Sequence, residues 1–203
     1  MHTLRSARLA ACTALALAGA VSVASAQSAP QGTRPAAAVP TSDSARVVPA
    51  RPADVASIDA IITALYDVIS GPAGQARDWD RFRSLFHPAA RLIPSGQRPG
   101  GGYGARAMDP EGYITRAGPM LEKNGFFERE IGRSEQRFGN IVQLLSAYES
   151  RHTAADAKPF ARGVNSIQLL YDGTRWWVMT IFWAEERPDL PLPPELLRPA
   201  GGR

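Results

Sequence analysis

The stretch that decides the fold is Gly163–Glu186, with the sequence GVNSIQLLYDGTRWWVMTIFWAEE. Two runs rich in β-branched and aromatic residues flank the pair Asp172-Gly173. An Asp-Gly pair between two such runs is the strongest short-range signal for a β-hairpin. The sequence therefore predicts two paired strands joined by a tight turn, with the rest of the chain packed around them.

Both faces of the second predicted strand are apolar. Strict alternation of side chains places Trp176, Val178, Thr180 and Phe182 on one face, and Trp177, Met179, Ile181 and Trp183 on the other. Each face must then be covered, by helices on one side and by more sheet, a partner subunit or a cavity on the other. In the first strand, Asn165 either pairs with neighbouring polar groups or marks a polar spot in a pocket.

The predicted domain begins only near residue 53. Residues 1–26 predict a secretory signal peptide, because Arg5 and Arg8 precede an apolar run and Ala24-Ser25-Ala26 forms a small-residue cleavage site. We expect cleavage after Ala26, a periplasmic or secreted protein, and no membrane attachment afterwards; an uncleaved N-terminal anchor is the alternative. Residues 27–52, rich in Pro, Ala and Ser, predict a disordered linker.

The composition narrows the possible functions. The single cysteine, Cys12, lies in the predicted signal peptide, so the mature chain would have no disulfide and no thiol nucleophile. Without residues 1–26 the basic residues fall from 23 to 21 against 19 acidic ones, a net charge of about +2, and they are scattered. We therefore expect no nucleic-acid partner. His87 and His152 alone predict no metal site, and no motif indicates a cofactor.

The order of predicted elements indicates an α+β fold. Asp54, Asp78 and Asp109 are plausible caps of three helices, of which the first ends at Ile69 and the second at His87-Pro88. A short strand, 91–94, and a glycine-rich loop, 95–107, precede the third helix. Strands then follow at 126–138 and 141–152 and from Phe160 onward. Helices followed by long antiparallel strands predict a domain over 53–187 and a Pro-rich tail over 188–203.

Two segments carry a family resemblance. Trp79-Asp-Arg-Phe82 with Leu85-Phe86-His87-Pro88, and the hairpin from Asp172 to Trp183, resemble the nuclear transport factor 2-like superfamily, which includes SnoaL-like polyketide cyclases and ketosteroid isomerases. The resemblance covers 54–187. It implies a cone-shaped fold in which three N-terminal helices pack on a curved antiparallel sheet. It also implies an apolar pocket in the cone and a homodimer formed through the sheet.

The same resemblance argues against isomerase chemistry. The positions of the two catalytic acids of ketosteroid isomerases are Pro94 and Ile167 in this sequence, and neither can move a proton. Tyr66 lies near the end of the helix that carries the family's catalytic tyrosine, but its match is poor. The Asp-Arg-Asp set of epoxide hydrolases of this fold has no convincing match either.

The remaining candidate site residues come from chemistry alone. For catalysis they are His152, Tyr148 and His87. Tyr148 and His152 share one face of their strand and could form an acid–base pair, or His152 could end the strand in solvent while Tyr148 packs in the core. For a ligand pocket the candidates are Tyr66, Trp79, Tyr103, Asn165 and Trp183, with Tyr103 either on a lid or on a mobile connection.

Three hypotheses about function remain open. The first is an exported protein that binds a small apolar molecule in the cone, as a homodimer. The second is a SnoaL-like enzyme, a cyclase, dehydratase or isomerase, that uses a His/Tyr acid–base pair. The third is an interaction module whose exposed sheet face binds a partner.

Overall fold

The computed structural model describes residues 48–197. The predicted signal peptide (1–26), residues 27–47 of the predicted linker and the end of the tail lie outside this part of the chain. The helices are α1 (Pro52–Val55), α2 (Ile58–Ile69), α3 (Trp79–Leu85) and α4 (Pro110–Asn124). The strands are β1 (Phe86–Gln97), β2 (Tyr103–Ala105), β3 (Phe127–Phe138), β4 (Ile141–Arg151), β5 (Ala161–Tyr171) and β6 (Trp176–Glu185). Among the described residues, no helix is both long and apolar enough to cross a membrane.

The six strands form one open, curved sheet in the order β2-β1-β6-β5-β4-β3. The helices α2, α3 and α4 contact this sheet, and the main hydrophobic core lies between the two layers. We call the helix-covered side of the sheet the inner face and the opposite side the outer face. The predicted α+β fold, with three helices on a curved sheet, is confirmed. Its predicted antiparallel order has one exception, because β1 lies parallel to β6.

The helix starts agree with the sequence at two of three places. Asp78 and Asp109 accept hydrogen bonds from backbone N–H groups in the first turns of α3 and α4, at 2.9 Å and 2.7 Å. The prediction for Asp54 is wrong: Ser57 caps α2 by accepting from the Ala60 N–H at 3.0 Å. Asp54 instead forms a two-point ion pair with Arg81, at 2.8 Å and 2.9 Å.

The glycine-rich segment is shorter as a loop than predicted. Its first residues extend β1, and Tyr103–Ala105 pair with Ser95–Gln97 as the antiparallel strand β2. Only residues 98–102 connect the two strands. The predicted short strand 91–94 is therefore the middle of a 12-residue strand, which gains a long backbone ladder beside β6.

A β-bulge at Met179 interrupts the alternation in β6. Val178 pairs with Leu169 but Thr180 pairs with Gln168, so Met179 has no partner of its own. The strict alternation predicted from the sequence is therefore wrong. Trp176 and Val178 share the inner face with Ile181 and Trp183, while the outer face carries Trp177, Thr180 and Phe182.

The C-terminal tail returns to the sheet. Leu192 precedes the 3₁₀ turn Pro194–Leu197 and Leu196 lies in it. Both leucines pack on the outer face, against Ala147, Ile131 and Val164. Leu197 stays exposed. Part of the outer face is thus covered by the chain itself.

Candidate functional site

A cavity of about 290 Å³ lies between the helices and the inner face of the sheet. Most of its wall is apolar, and every strand of the sheet except β2 contributes to it. The aromatic side chains form a connected set: Phe82 stacks on Tyr113 with ring centroids 5.3 Å apart, and Tyr113 meets Trp183 edge-on at 6.5 Å. Such a wall suits a ligand with an apolar or aromatic body.

Arg77 holds the helical side of this cavity together. Its buried guanidinium donates to the backbone carbonyls of Ile69 at 3.0 Å, Gly71 at 2.6 Å, Leu121 at 3.0 Å and Gln75 at 2.6 Å. It also reaches the Pro72 carbonyl at 3.4 Å. One side chain therefore joins the end of α2 to the end of α4, and the loop between α2 and α3 is fixed by the same bonds.

Glu128 supplies a carboxylate to the cavity. It stands on β3 opposite Ser150 of β4, whose hydroxyl donates to Glu128 Oε2 at 2.7 Å. Its backbone N–H donates to the Ser70 hydroxyl at 3.0 Å, so the residue that ends α2 also positions this strand. The pKa of Glu128 is raised from 4.5 to about 7, chiefly by burial and also by the negative charge of Glu185, while hydrogen bonds from Ser150 and Asn165 lower it.

A hydrogen-bonded chain beside Glu128 has a fixed direction. Glu130 is paired with Arg133 at 3.0 Å and accepts from the Ser146 hydroxyl at 2.6 Å. Because a serine hydroxyl has one hydrogen, Ser146 must accept from the Tyr66 hydroxyl, 2.7 Å away. Asn165 Nδ2 then donates to the Tyr66 oxygen at 3.1 Å. The Tyr66 hydrogen is therefore not free for a ligand.

Two further tyrosines border the cavity. No hydrogen bond to another described residue holds the hydroxyls of Tyr113 and Tyr148. Gly163 makes room for Tyr148, since a Cβ at Gly163 would lie 2.5 Å from the Tyr148 oxygen. Burial raises the pKa of Tyr66, Tyr113 and Tyr148 above the ordinary value of 10.0. All three are neutral phenols at neutral pH, which argues against a tyrosinate base.

The charge of the cavity wall is one-sided. Glu128 and, at the mouth, the exposed Glu185 are its carboxylates, and among the described residues no lysine or arginine lines it. His152 also borders the mouth. It is exposed, stacks on Phe160 with centroids 4.2 Å apart, and places Nδ1 3.5 Å from the Gly125 carbonyl oxygen.

Glu128 and Tyr66 also border a second, more open cleft of about 690 Å³ at the β3 edge. Arg129 and Arg151 lie along it, but both guanidiniums are paired with Glu149, Arg129 at 2.6 Å. Most of the residues that line this cleft are polar or charged.

Five of the eight predicted site residues meet at the cavity. They are Tyr66, Tyr148, His152, Asn165 and Trp183. Tyr148 and His152 both line the cavity. Four residues along a strand place their Cα atoms about 13 Å apart, so the two side chains occupy separate points of the wall.

Three predicted site residues do not line the cavity. His87 is the second residue of β1 rather than the end of a helix; it accepts from the Ala89 N–H at 3.1 Å and packs on Trp177. Trp79 lies behind the wall, where its indole N–H donates to Glu122 at 3.0 Å. Tyr103 is 63% exposed on the short strand β2, and its hydroxyl accepts from the Arg187 guanidinium at 3.1 Å.

Tyr113 and Glu128 line the cavity but are not among the site residues predicted from the sequence. A signal for Tyr113 existed in its helical spacing, which puts it on the buried face of α4. For Glu128 the sequence gives no signal, since its inward position depends on a bulge in β3.

Comparisons with known proteins give a fold likeness only. No protein-family model and no curated protein matches the chain. A solved structure from Kribbella flavida is 8% identical, with 65% of this chain and 90% of that chain covered and a TM-score of 0.47. Nuclear transport factor 2-like proteins of unknown function from Methylobacillus flagellatus KT and Shewanella baltica OS155 are 14% and 12% identical. They cover 64% of this chain and 95% and 98% of their own lengths, with TM-scores of 0.38 and 0.40.

In fold, the chain is similar to nuclear transport factor 2-like proteins. Neither of the two named here has a known function. The function of this chain must therefore be argued from its own cavity.

Proposed function

We propose that the protein binds a small, largely apolar molecule in the cavity between its helices and its sheet. The observation that supports this proposal is the cavity itself, with an aromatic wall and a carboxylate among its lining groups. Its volume of about 290 Å³ lies at the lower end of the roughly 300–1,000 Å³ typical of small-molecule pockets. A ligand with one ring and a short polar substituent matches that size.

Blocking the cavity tests the proposal. Ala117 of α4 lines it, whereas Arg116 is exposed on the same helix. Ala117→Leu fills part of the volume with a residue that favours helix, and Arg116→Leu is the matched control. Thermal unfolding is measured with 2-phenylethanol, acetophenone and 2-phenylethylamine. A compound at 100 times its Kd stabilises the native chain and the control by about 2.7 kcal/mol, and Ala117→Leu loses that gain. Failure of all three compounds to raise the Tm would contradict the proposal.

A second candidate is a small-molecule enzyme of the SnoaL-like kind. The observation that favours it is Glu128, whose pKa of about 7 suits a general acid or base near neutral pH. Glu128 adds a third candidate for proton transfer to Tyr148 and His152, which line the same cavity. Exchange of α-hydrogens for deuterium in small cyclic ketones, followed by NMR, is the test. Exchange by the native chain that disappears in Glu128→Gln would support the enzyme hypothesis. Absence of exchange with the native chain would contradict it.

We propose export on the grounds of residues 1–26, whose basic start, apolar run and cleavage site are typical of a signal peptide. Mass spectrometry of the N-terminus after expression in a Gram-negative host tests it. A mature chain that starts at Gln27 in the periplasmic fraction is expected. A chain that retains residues 1–26 and stays with the membrane fraction supports the uncleaved anchor instead.

We also propose a homodimer formed through the outer face of the sheet. Leu145 and Phe182, on β4 and β6, are 37% and 44% exposed beside the part that the tail covers. Exposed apolar side chains on the same sheet face suit a self-complementary contact. Light scattering after size-exclusion chromatography is expected to give twice the mass of one chain, and a strict monomer would contradict the proposal.

A further inference from the structure

We infer that the ligand of the cavity carries a protonated amine, which binds beside Glu128. The inference rests on the proposed function and goes further, because it names the chemical class of the ligand. It follows from the charge of the wall, the direction of the hydrogen bonds and the chemistry of the aromatic groups.

The charge of the wall favours a cation. Glu128 borders the cavity and Glu185 its mouth, and no lysine or arginine of the described residues lines it to balance them. An anionic ligand would have to approach two carboxylates in a partly desolvated space, whereas an ammonium group would compensate Glu128. Phosphates and carboxylates are thus the least suitable ligands.

The hydrogen bonds around Glu128 favour a ligand that donates hydrogen bonds, as an ammonium group does. The hydroxyl hydrogen of Tyr66 is committed to Ser146, and the hydroxyl of Ser150 already donates to Glu128. The side-chain amide of Asn165 donates a hydrogen bond to the Tyr66 oxygen. A ligand that donates hydrogen bonds therefore meets the Glu128 carboxylate, whereas a ligand carbonyl or oxyanion finds no free hydrogen at Tyr66, Ser146 or Ser150.

The aromatic wall completes a site for a cation with an apolar body. Tyr113 and Trp183 stand edge-to-face, and Phe126 lies near the end of α4. Ring faces attract ammonium groups, and the effect grows when the site is desolvated. The hydroxyls of Tyr113 and Tyr148 can accept hydrogen bonds from the same group.

Other groups also titrate near Glu128, and the test must separate them from it. Those that face it across the cavity belong to four elements: Tyr66 on α2, Tyr113 on α4, Tyr148 and His152 at β4, and Glu185 on β6. In the cleft behind it lie Asp67, Asp156 and the two arginines paired with Glu149. Glu128 lies within the cavity, and its pKa is raised to about 7.

The experiment is isothermal titration calorimetry of three probes of nearly equal size: 2-phenylethylamine, 2-phenylethanol and phenylacetate. One charge-assisted hydrogen bond predicts that the amine binds about 10- to 100-fold more tightly than the alcohol at pH 8, with phenylacetate weakest. Because the amine requires an ionised Glu128, the Kd of the amine is about tenfold higher at pH 6 than at pH 8. Glu128→Gln removes both effects, and Glu135→Gln, an exposed acid on the same strand, keeps them.

The outcomes distinguish the proposed function, a ligand-binding cavity, from the inference that its ligand is an amine. If the alcohol binds as tightly as the amine, the cavity is a ligand site but the amine inference is overturned. The same holds if the amine's preference or its pH dependence persists in Glu128→Gln, since the charge would then belong to another group. If no probe binds, the proposed function itself is contradicted. The comparison of probes on the native chain needs no variant, so it stands even if Glu128→Gln fails to fold.

Discussion

Replacing Glu128 by glutamine should stabilise the protein at alkaline pH and change its stability little in acid. The carboxyl group is half-buried and loses water contacts on folding, which raises its pKa from 4.5 to about 7. Between these two values the folded chain holds a proton that the unfolded chain has released. The free energy of unfolding therefore falls as the pH rises through this range, and stays lower above it.

The size of the effect follows from the two pKa values. The rise of the pKa from 4.5 to about 7 corresponds to about 3 kcal/mol, at about 1.4 kcal/mol for each pKa unit. Most of this, about 2–3 kcal/mol, falls between pH 5 and pH 8, because the unfolded carboxyl group is already half ionised at pH 4.5. Glutamine keeps the shape and can accept from the Ser150 hydroxyl, but it carries no charge to desolvate.

Urea unfolding at pH 5 and pH 8, at constant ionic strength, measures the effect. The quantity of interest is the stability of Glu128→Gln minus that of the native chain, compared between the two pH values. We expect this difference to grow by about 2–3 kcal/mol from pH 5 to pH 8, while Glu135→Gln shows no such change. A difference that is equal at both pH values within about 0.5 kcal/mol would refute the burial argument for Glu128.

Three other side chains give clear expectations. Arg77→Lys should lower the free energy of unfolding by about 3 kcal/mol, because three ammonium donors cannot serve the five carbonyls that the guanidinium reaches. Urea unfolding checks this against the exposed control Arg116→Lys, and equal stabilities would contradict it. Tyr66→Phe should cost about 1–2 kcal/mol, because a buried amide and serine lose a partner; a neutral effect in the same assay would show that water replaces the hydroxyl. Leu145→Asp should convert the proposed dimer to monomer in light scattering with little change in the monomer's Tm, since Leu145 is 37% exposed. A dimer that persists would place the contact elsewhere.

Most of the fold could be predicted from local signals in the sequence. The hairpin around Asp172-Gly173 and the caps Asp78 and Asp109 are encoded within a few residues, and the structure has them where the sequence predicts. The parallel contact of β1 with β6 was not predicted, since it joins segments about 90 residues apart and depends on tertiary packing. Arg77 was missed for a related reason. Its partners are backbone carbonyls, which every residue has, so no pattern of side chains points to it.

The composition of the candidate site depends on two inserted residues. Counted outward from the turn at Gly139-Asn140, a regular ladder would place Glu128 opposite Arg151, on the outer face of the sheet. The bulge at Ile131 changes this pairing to Ser150, and Glu128 turns inward.

The bulge at Met179 acts in the same way on β6. A regular ladder would pair Asn165 with Phe182 and point that phenylalanine inward, whereas the bulge pairs Asn165 with Trp183 instead. A one-residue change of register exchanges the two faces of a strand. Period-two alternation can therefore identify the strands but cannot tell which side chains reach the cavity. In this chain the charge and the aromatic wall of the cavity are both set by bulges, so its chemistry could be recognised only from the paired strands.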